Sequence, residues 1–142
     1  MNEAPKAVLD ASALVALVLK ERGADTVERI VRAGVGTTTP TGMAEALITC
    51  ERKGYRRPRV ELYDDLLEVG LQVEPLVEGD ALEMAFLLAR SDDLRDDERI
   101  GRLSLGDAAC LAVAHRLGLP AVVADGTWEL LGVAGLQVRP FR

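Results

Sequence analysis

Short apolar runs alternate along this chain with longer stretches in which apolar residues recur at helical spacing, a pattern that predicts an α/β fold around a parallel sheet. Ala7-Val8-Leu9-Asp10 reads as a first strand, apolar enough to be buried on both faces. A helix is predicted from Ser12 to Glu21 and a second from Ala24 to Arg32, where Val27, Ile30 and Val31 form a narrow apolar stripe. Val35 to Thr38 is a short second strand. Thr39-Pro40-Thr41 then opens a helix, with Pro where its missing N–H costs nothing, and that helix runs to Lys53 and stops at Gly54. Pro58 opens the next helix, to about Val69, and Leu71 to Leu76 is the third strand. Asp80 to Arg90 is helical, whereas Ser91 to Arg102, polar and acidic, is read as mostly loop. A helix from Ser104 to Leu117 ends at Gly118 and is followed by a strand, Ala121 to Ala124. A turn of helix around Trp128 then precedes a last strand, Leu136 to Arg139. No repeat or linker interrupts the chain, and residues 1–142 are expected to form one domain.

This arrangement gives two carboxylates a common address. Ligands of an open parallel sheet bind beyond the carboxyl ends of its strands, and Asp10 and Asp125 directly follow the first and fourth strands. Each also has a structural reading: an Asp often caps the helix after a strand, and Asp125-Gly126 is a good turn pair. Ser104-Leu105-Gly106-Asp107 fits a capping box, which puts Asp107 at the mouth of its helix beside the fourth strand. Glu45 lies in the first turns of its helix, where a negative charge complements the dipole.

Composition narrows the chemistry. The chain is 49% hydrophobic and 28% charged, ordinary for a globular protein. Its 23 acidic residues outnumber 17 basic ones, for a net charge of −6, so any nucleic-acid chemistry must use local positive charge or bound metal. Cys50 and Cys110 lack zinc-ligand spacing and read as small buried thiols of a reducing compartment. Met1 to Lys6 lacks the pattern of a signal peptide, and the apolar run Ala11 to Leu19 is too short to span a bilayer. A soluble, cytoplasmic protein without membrane contact is expected.

Strand-Asp10-Ala11-Ser12, then Ala44-Glu45, then Leu103-Ser104-Leu105-Gly106-Asp107, then Val122-Val123-Ala124-Asp125 with Trp128 three residues on, resembles in order and spacing the PIN domain. The Leu-Ser-Leu-Gly-Asp segment resembles its VapC-type toxin branch. The resemblance runs from Val8 to about Val138. It implies a three-layer fold with a central parallel sheet of about five short strands flanked by helices. It further implies a cluster of Asp10, Glu45, Asp107 and Asp125 holding Mg²⁺, or Mn²⁺ in its place, for the hydrolysis of RNA phosphodiester bonds. Hard divalent cations favour such oxygen ligands, and four carboxylates near one point need a cation to offset their repulsion. Ser12 matches a small hydroxyl residue that such domains carry, where it would orient a water or the phosphate; as a plain helix N-cap it needs no other role. The family often places Thr two residues before the last Asp and a base just after it, positions held here by Val123 and Gly126. The implied partners are an RNA substrate, a cognate antitoxin and a second copy of the chain in a homodimer.

Arg52-Lys53-Gly54-Tyr55-Arg56-Arg57-Pro58-Arg59 is the one strongly basic stretch, and Tyr55, Arg56 and Arg57 are candidates to hold an RNA backbone and stack a base. The alternative is a solvated helix end whose cations complement the dipole. His115, the single histidine, is read as structural, Trp128 as core, and the acidic run Asp92 to Glu98 as a solvated loop without the spacing of an EF-hand. Two rival functions stand beside the nuclease. One is a non-catalytic PIN-like module that binds RNA or protein. The other, a haloacid-dehalogenase-type phosphatase, also begins with strand and Asp but wants a second Asp where this chain has Ser12.

Overall fold

The computed structural model describes residues 3–142. β1 (Ala7–Leu9) lies at the centre of a five-stranded sheet, all of whose pairings are parallel. On one side it pairs with β2 (Gly36–Thr38), and β2 with β3 (Gln72–Val73). On the other it pairs with β4 (Ala121–Val123), and β4 with β5 (Val138–Pro140). The order β3-β2-β1-β4-β5 reverses direction at β1, so a crevice opens between the carboxyl ends of β1 and β4.

Alternate residues of the central strands feed two cores. Ala7, Leu9 and Val122 face α1 (Ala11–Leu19), α2 (Ala24–Arg32), α3 (Pro40–Arg52) and α4 (Arg59–Val69). Val8, Ala121 and Val123 face α5 (Asp80–Asp93), α6 (Leu105–Leu117) and a 3₁₀ turn (Gly126–Leu131). The result is three layers, helices on sheet on helices, and it explains why β1 and β4 carry no polar residue. β2 is the exception. Thr37 and Thr38 are buried, and the Thr38 hydroxyl donates to the Leu9 carbonyl at 2.8 Å, which removes the cost of hiding it.

The element order agrees with the expectation, with departures that have local causes. α1 begins at Ala11, capped by Asp10, so Ser12 is inside the helix rather than its cap. β3 is confined to Gln72–Val73; one further ladder bond, from the Glu74 N–H to the Thr38 carbonyl, precedes Pro75, which has no N–H to continue it. α5 runs on through Ser91 to Asp93, into the stretch read as loop. Ser91 is buried, and its hydroxyl accepts from the Leu103 N–H at 3.3 Å, tying the returning loop to the helix. β4 ends at Val123, so Asp125 follows it by two residues. β5 is displaced to Val138–Pro140, where Pro140 is tolerated on an edge strand.

Candidate active site

Four segments bring their acids to the crevice between β1 and β4. A cleft of about 190 Å³ is lined there by Asp10, Ser12, Glu45, Asp107, Asp125 and Trp128, among others. Asp10 leaves β1 and caps α1, Glu45 stands in the second turn of α3, Asp107 in the first turn of α6, and Asp125 between β4 and the 3₁₀ turn. The four acids singled out in the sequence therefore share one cleft.

Capping and cleft-facing chemistry are compatible because a carboxylate has two oxygens. Asp10 takes both its hydrogen bonds on Oδ1, from the Ala13 N–H at 2.9 Å and the Ser12 hydroxyl at 2.6 Å. Asp125 accepts on Oδ1 from the Thr127 N–H at 2.9 Å and from the Thr127 hydroxyl. Asp107 accepts on Oδ2 from the Ser104 N–H at 2.8 Å, while the Ser104 hydroxyl accepts from the Asp107 N–H at 3.1 Å, closing the capping box. One oxygen of each Asp is thus fixed by the backbone, which orients the group and leaves the second oxygen for another ligand. Ser12 adds a tie across the crevice, since its oxygen also accepts from the Ala124 N–H at 3.3 Å.

Electrostatics mark the same place. Asp10 is 5% exposed, and burial, aided by the charges of Asp107 and Glu45, pushes its carboxyl up to about 6 against the lowering effect of its hydrogen bonds. Burial raises Glu45 as well, with Asp107 next to it, and burial raises Asp107, with Asp125 adding to the effect. No Lys or Arg lines this cleft. Among the described residues, no three His, Cys, Asp or Glu side chains stand where they would together hold a metal ion. The donor set is instead of the open kind: all oxygen, net negative, with free carboxylate oxygens and room for water. It fits a hydrated divalent cation bound through one or two carboxylates.

Two glycines given no role in the sequence reading border the cleft acids. A Cβ on Gly106 would lie 2.9 Å from Glu45 Oε2, and one on Gly101 would lie 3.0 Å from Asp125 Oδ2. Gly106 sits inside a motif already noted, so its signal was a glycine in the first turn of a helix, where Ala would be the better helix former. Thr127 was also missed; an Asp with Thr two residues on is the pattern of a side chain folding back on its own turn.

The basic stretch lies elsewhere. Arg57 is paired with Glu61 and Asp65, Arg59 with Glu51, and Lys53 with Glu21. Tyr55 is half-buried against Leu62 and Leu66, and neither it nor Arg56 lines the acid cleft. Arg52 and Arg56 are exposed and form no ion pair among the described residues. His115 bonds Glu83 through Nδ1 and the Ala134 carbonyl through Nε2, a link between α5, α6 and the loop before β5. No described helix is long and apolar enough to cross a membrane.

Residues 7–132 match the family model of the PIN domain. No curated protein matches the chain. Solved structures do. VapC20 of Mycobacterium tuberculosis, described as a sarcin-ricin loop cleaving toxin, superposes with a TM-score of 0.62 at 19% identity, covering 92% of this chain and 98% of that one. VapBC2 of Rickettsia felis, bound to a DNA fragment from its promoter, gives 0.68 at 12% identity, covering 94% and 97%. A toxin–antitoxin complex from Klebsiella pneumoniae gives 0.59 at 18% identity, covering 96% and 98%. At these identities the likeness is one of fold.

Proposed function

The chain belongs to the PIN-domain family, and on that premise we propose that it is a metal-dependent endoribonuclease, the toxin of a toxin–antitoxin pair. The observation that carries the proposal is the convergence of Asp10, Glu45, Asp107 and Asp125 on one cleft whose lining includes no Lys or Arg side chain. The nature of the similar structures, a toxin described as RNA-cleaving and two toxin–antitoxin assemblies, supports the choice of substrate and partner.

Asp10, Asp107, Asp125 and Glu45 would hold Mg²⁺ or Mn²⁺. Such an ion, when bound, lowers the pKa of water and stabilises charge on a phosphate. The chain's own residues do the rest. Asp10 and Asp125, each fixed through Oδ1, present Oδ2 in a constant direction, so little reorganisation is needed when the substrate arrives. Ser12 is a positioning residue: bonded to Asp10 and to the Ala124 N–H, it keeps the first and last acids in register. In the overall reaction, water adds to phosphorus, the P–O bond to the leaving nucleotide breaks, and one proton passes to that oxygen. Arg52 and Arg56, exposed and in no ion pair among the described residues, are members of the basic stretch that would meet an RNA backbone.

The partner would take apolar surface. Leu82 and Phe86, 80% and 54% exposed, stand one turn apart on α5 and suit an antitoxin or a second copy of the chain.

Cleavage of structured RNA should require Mg²⁺ or Mn²⁺, stop with EDTA and be lost in Asp10→Asn. Cutting that persists in excess chelator overturns the metal. RNA bound but uncut by wild type under every divalent ion identifies a binding module instead.

A further inference from the structure

A second depression of about 210 Å³ adjoins the acid cleft, sharing Ala11, Ser12 and Glu45 as a common wall, and it has the opposite electrical character on its far side. There Lys53, from the end of α3, and Arg142 both face Glu21: Lys53 Nζ lies 3.0 Å from Oε2 and Arg142 Nη1 3.8 Å from Oε1. Two cations share one carboxylate, so these three side chains carry one net positive charge on the far side of the depression, facing Glu45 on the shared wall. Thr49 adds a hydroxyl-bearing side chain to the lining.

Arg142 is held in place by its neighbours. Phe141 is buried, the Arg142 guanidinium lies over its ring at 5.1 Å, and Arg142 Nη1 donates to the Arg22 carbonyl at 3.4 Å. The Phe141 seat exists because residue 23 is glycine: its φ is +89°, and a Cβ there would come within 2.6 Å of the Phe141 ring. Yet the Arg142 and Lys53 side chains remain 32% and 50% exposed, and both are open to a ligand.

We propose that Lys53 and Arg142 form a phosphate subsite for the nucleotide next to the one being cut, with Glu21 holding the two cations apart from the acids until a phosphate displaces it. The proposal rests on the nuclease reading above and extends it: the RNA strand enters along the groove between α1 and α3. A backbone phosphate fits the site because it offers several acceptors to two donors and needs no base contact.

The test measures binding of a short labelled single-stranded oligoribonucleotide to the whole protein across a salt series, with Mg²⁺, and with cleavage followed alongside. Lys53→Ala with Arg142→Ala should weaken binding about tenfold, the equivalent of one charge-assisted hydrogen bond. It should also make the log–log salt slope shallower by about 0.7, one phosphate's worth for single strands. Glu21→Gln should act in the opposite sense and tighten binding, which a merely structural ion-pair cluster would not do. Wild-type cleavage with unchanged affinity and slope in the double variant overturns the subsite alone. Unchanged RNA binding with loss of binding to an acidic peptide also overturns it, marking a protein-docking cleft. RNA neither bound nor cut by wild type removes the nuclease reading and this proposal together.

Discussion

Asp10 does three things with one side chain: it ends β1, caps α1 and faces the cleft. Its ionised form sits in a poor place, buried and near two other acids, which is why its carboxyl is pushed from 3.8 to about 6. The folded state therefore holds a proton that the unfolded chain has already released. Stability is lost as pH rises from about 4 through about 6, by on the order of 3 kcal/mol. Asp10→Asn keeps an oxygen for the cap and discards the charge. In chelator, the variant should match wild type near pH 4 and exceed it by that amount at pH 7, measured by denaturant titration at each pH. A gap independent of pH would mean that the ionised carboxylate is well accommodated. Cap and ligand, the alternatives met in the sequence, are compatible here, because Oδ1 serves the helix while Oδ2 is free of it. No reading of residue types alone separates two oxygens of one group.

At the scale of elements, the first turn of α6 controls how close α3 brings Glu45. Gly106→Ala places a methyl 2.9 Å from a Glu45 oxygen, an atom at the end of a flexible side chain. The helix gains propensity of up to about 1 kcal/mol from the same change. The variant should melt at or above the wild-type temperature while cleaving RNA at least tenfold more slowly, an activity deficit without a folding deficit. A variant that loses stability and keeps its activity would place Glu45 outside the chemistry. Elements were legible where apolar period and cap agreed, as in β1, α3 and α6 with Thr39 and Ser104 at their starts. They were misread where tertiary contacts decided. Ser91 reads as loop because it is polar, yet it turns inward and bonds the Leu103 N–H, so α5 persists past it. Leu71 to Leu76 reads as strand because it is apolar, yet Pro75 ends the ladder after Val73 and Glu74. The acids were legible by their place at strand ends and helix starts. Lys53 and Arg142 were not linked at all, since two cations far apart in the chain that meet only through Glu21 leave no local trace.

For the whole molecule, the switch in strand order at β1 draws together acids from four separate segments, and their mutual repulsion acts on global stability. An ion that binds the folded state alone should raise the melting temperature by mass action, with about 2.7 kcal/mol at a hundredfold excess over its Kd. Mn²⁺ or Mg²⁺ should do this in wild type and far less in Asp10→Asn, whereas NaCl at equal ionic strength should not reproduce it. Equal shifts in both proteins would assign the ion to another surface. The same topology has a consequence in time. A chain that has left the ribosome only as far as α5 owns Asp10 and Glu45 but neither Asp107 nor Asp125, and β1 lacks the β4 neighbour that completes its pairing. A nascent chain holds the full set of acids only once Asp125 has been made, after β4, so the candidate site is completed late in synthesis. On the nuclease reading proposed above, a nascent chain short of Asp125 should be inactive toward RNA, and the order of the strands sets that delay.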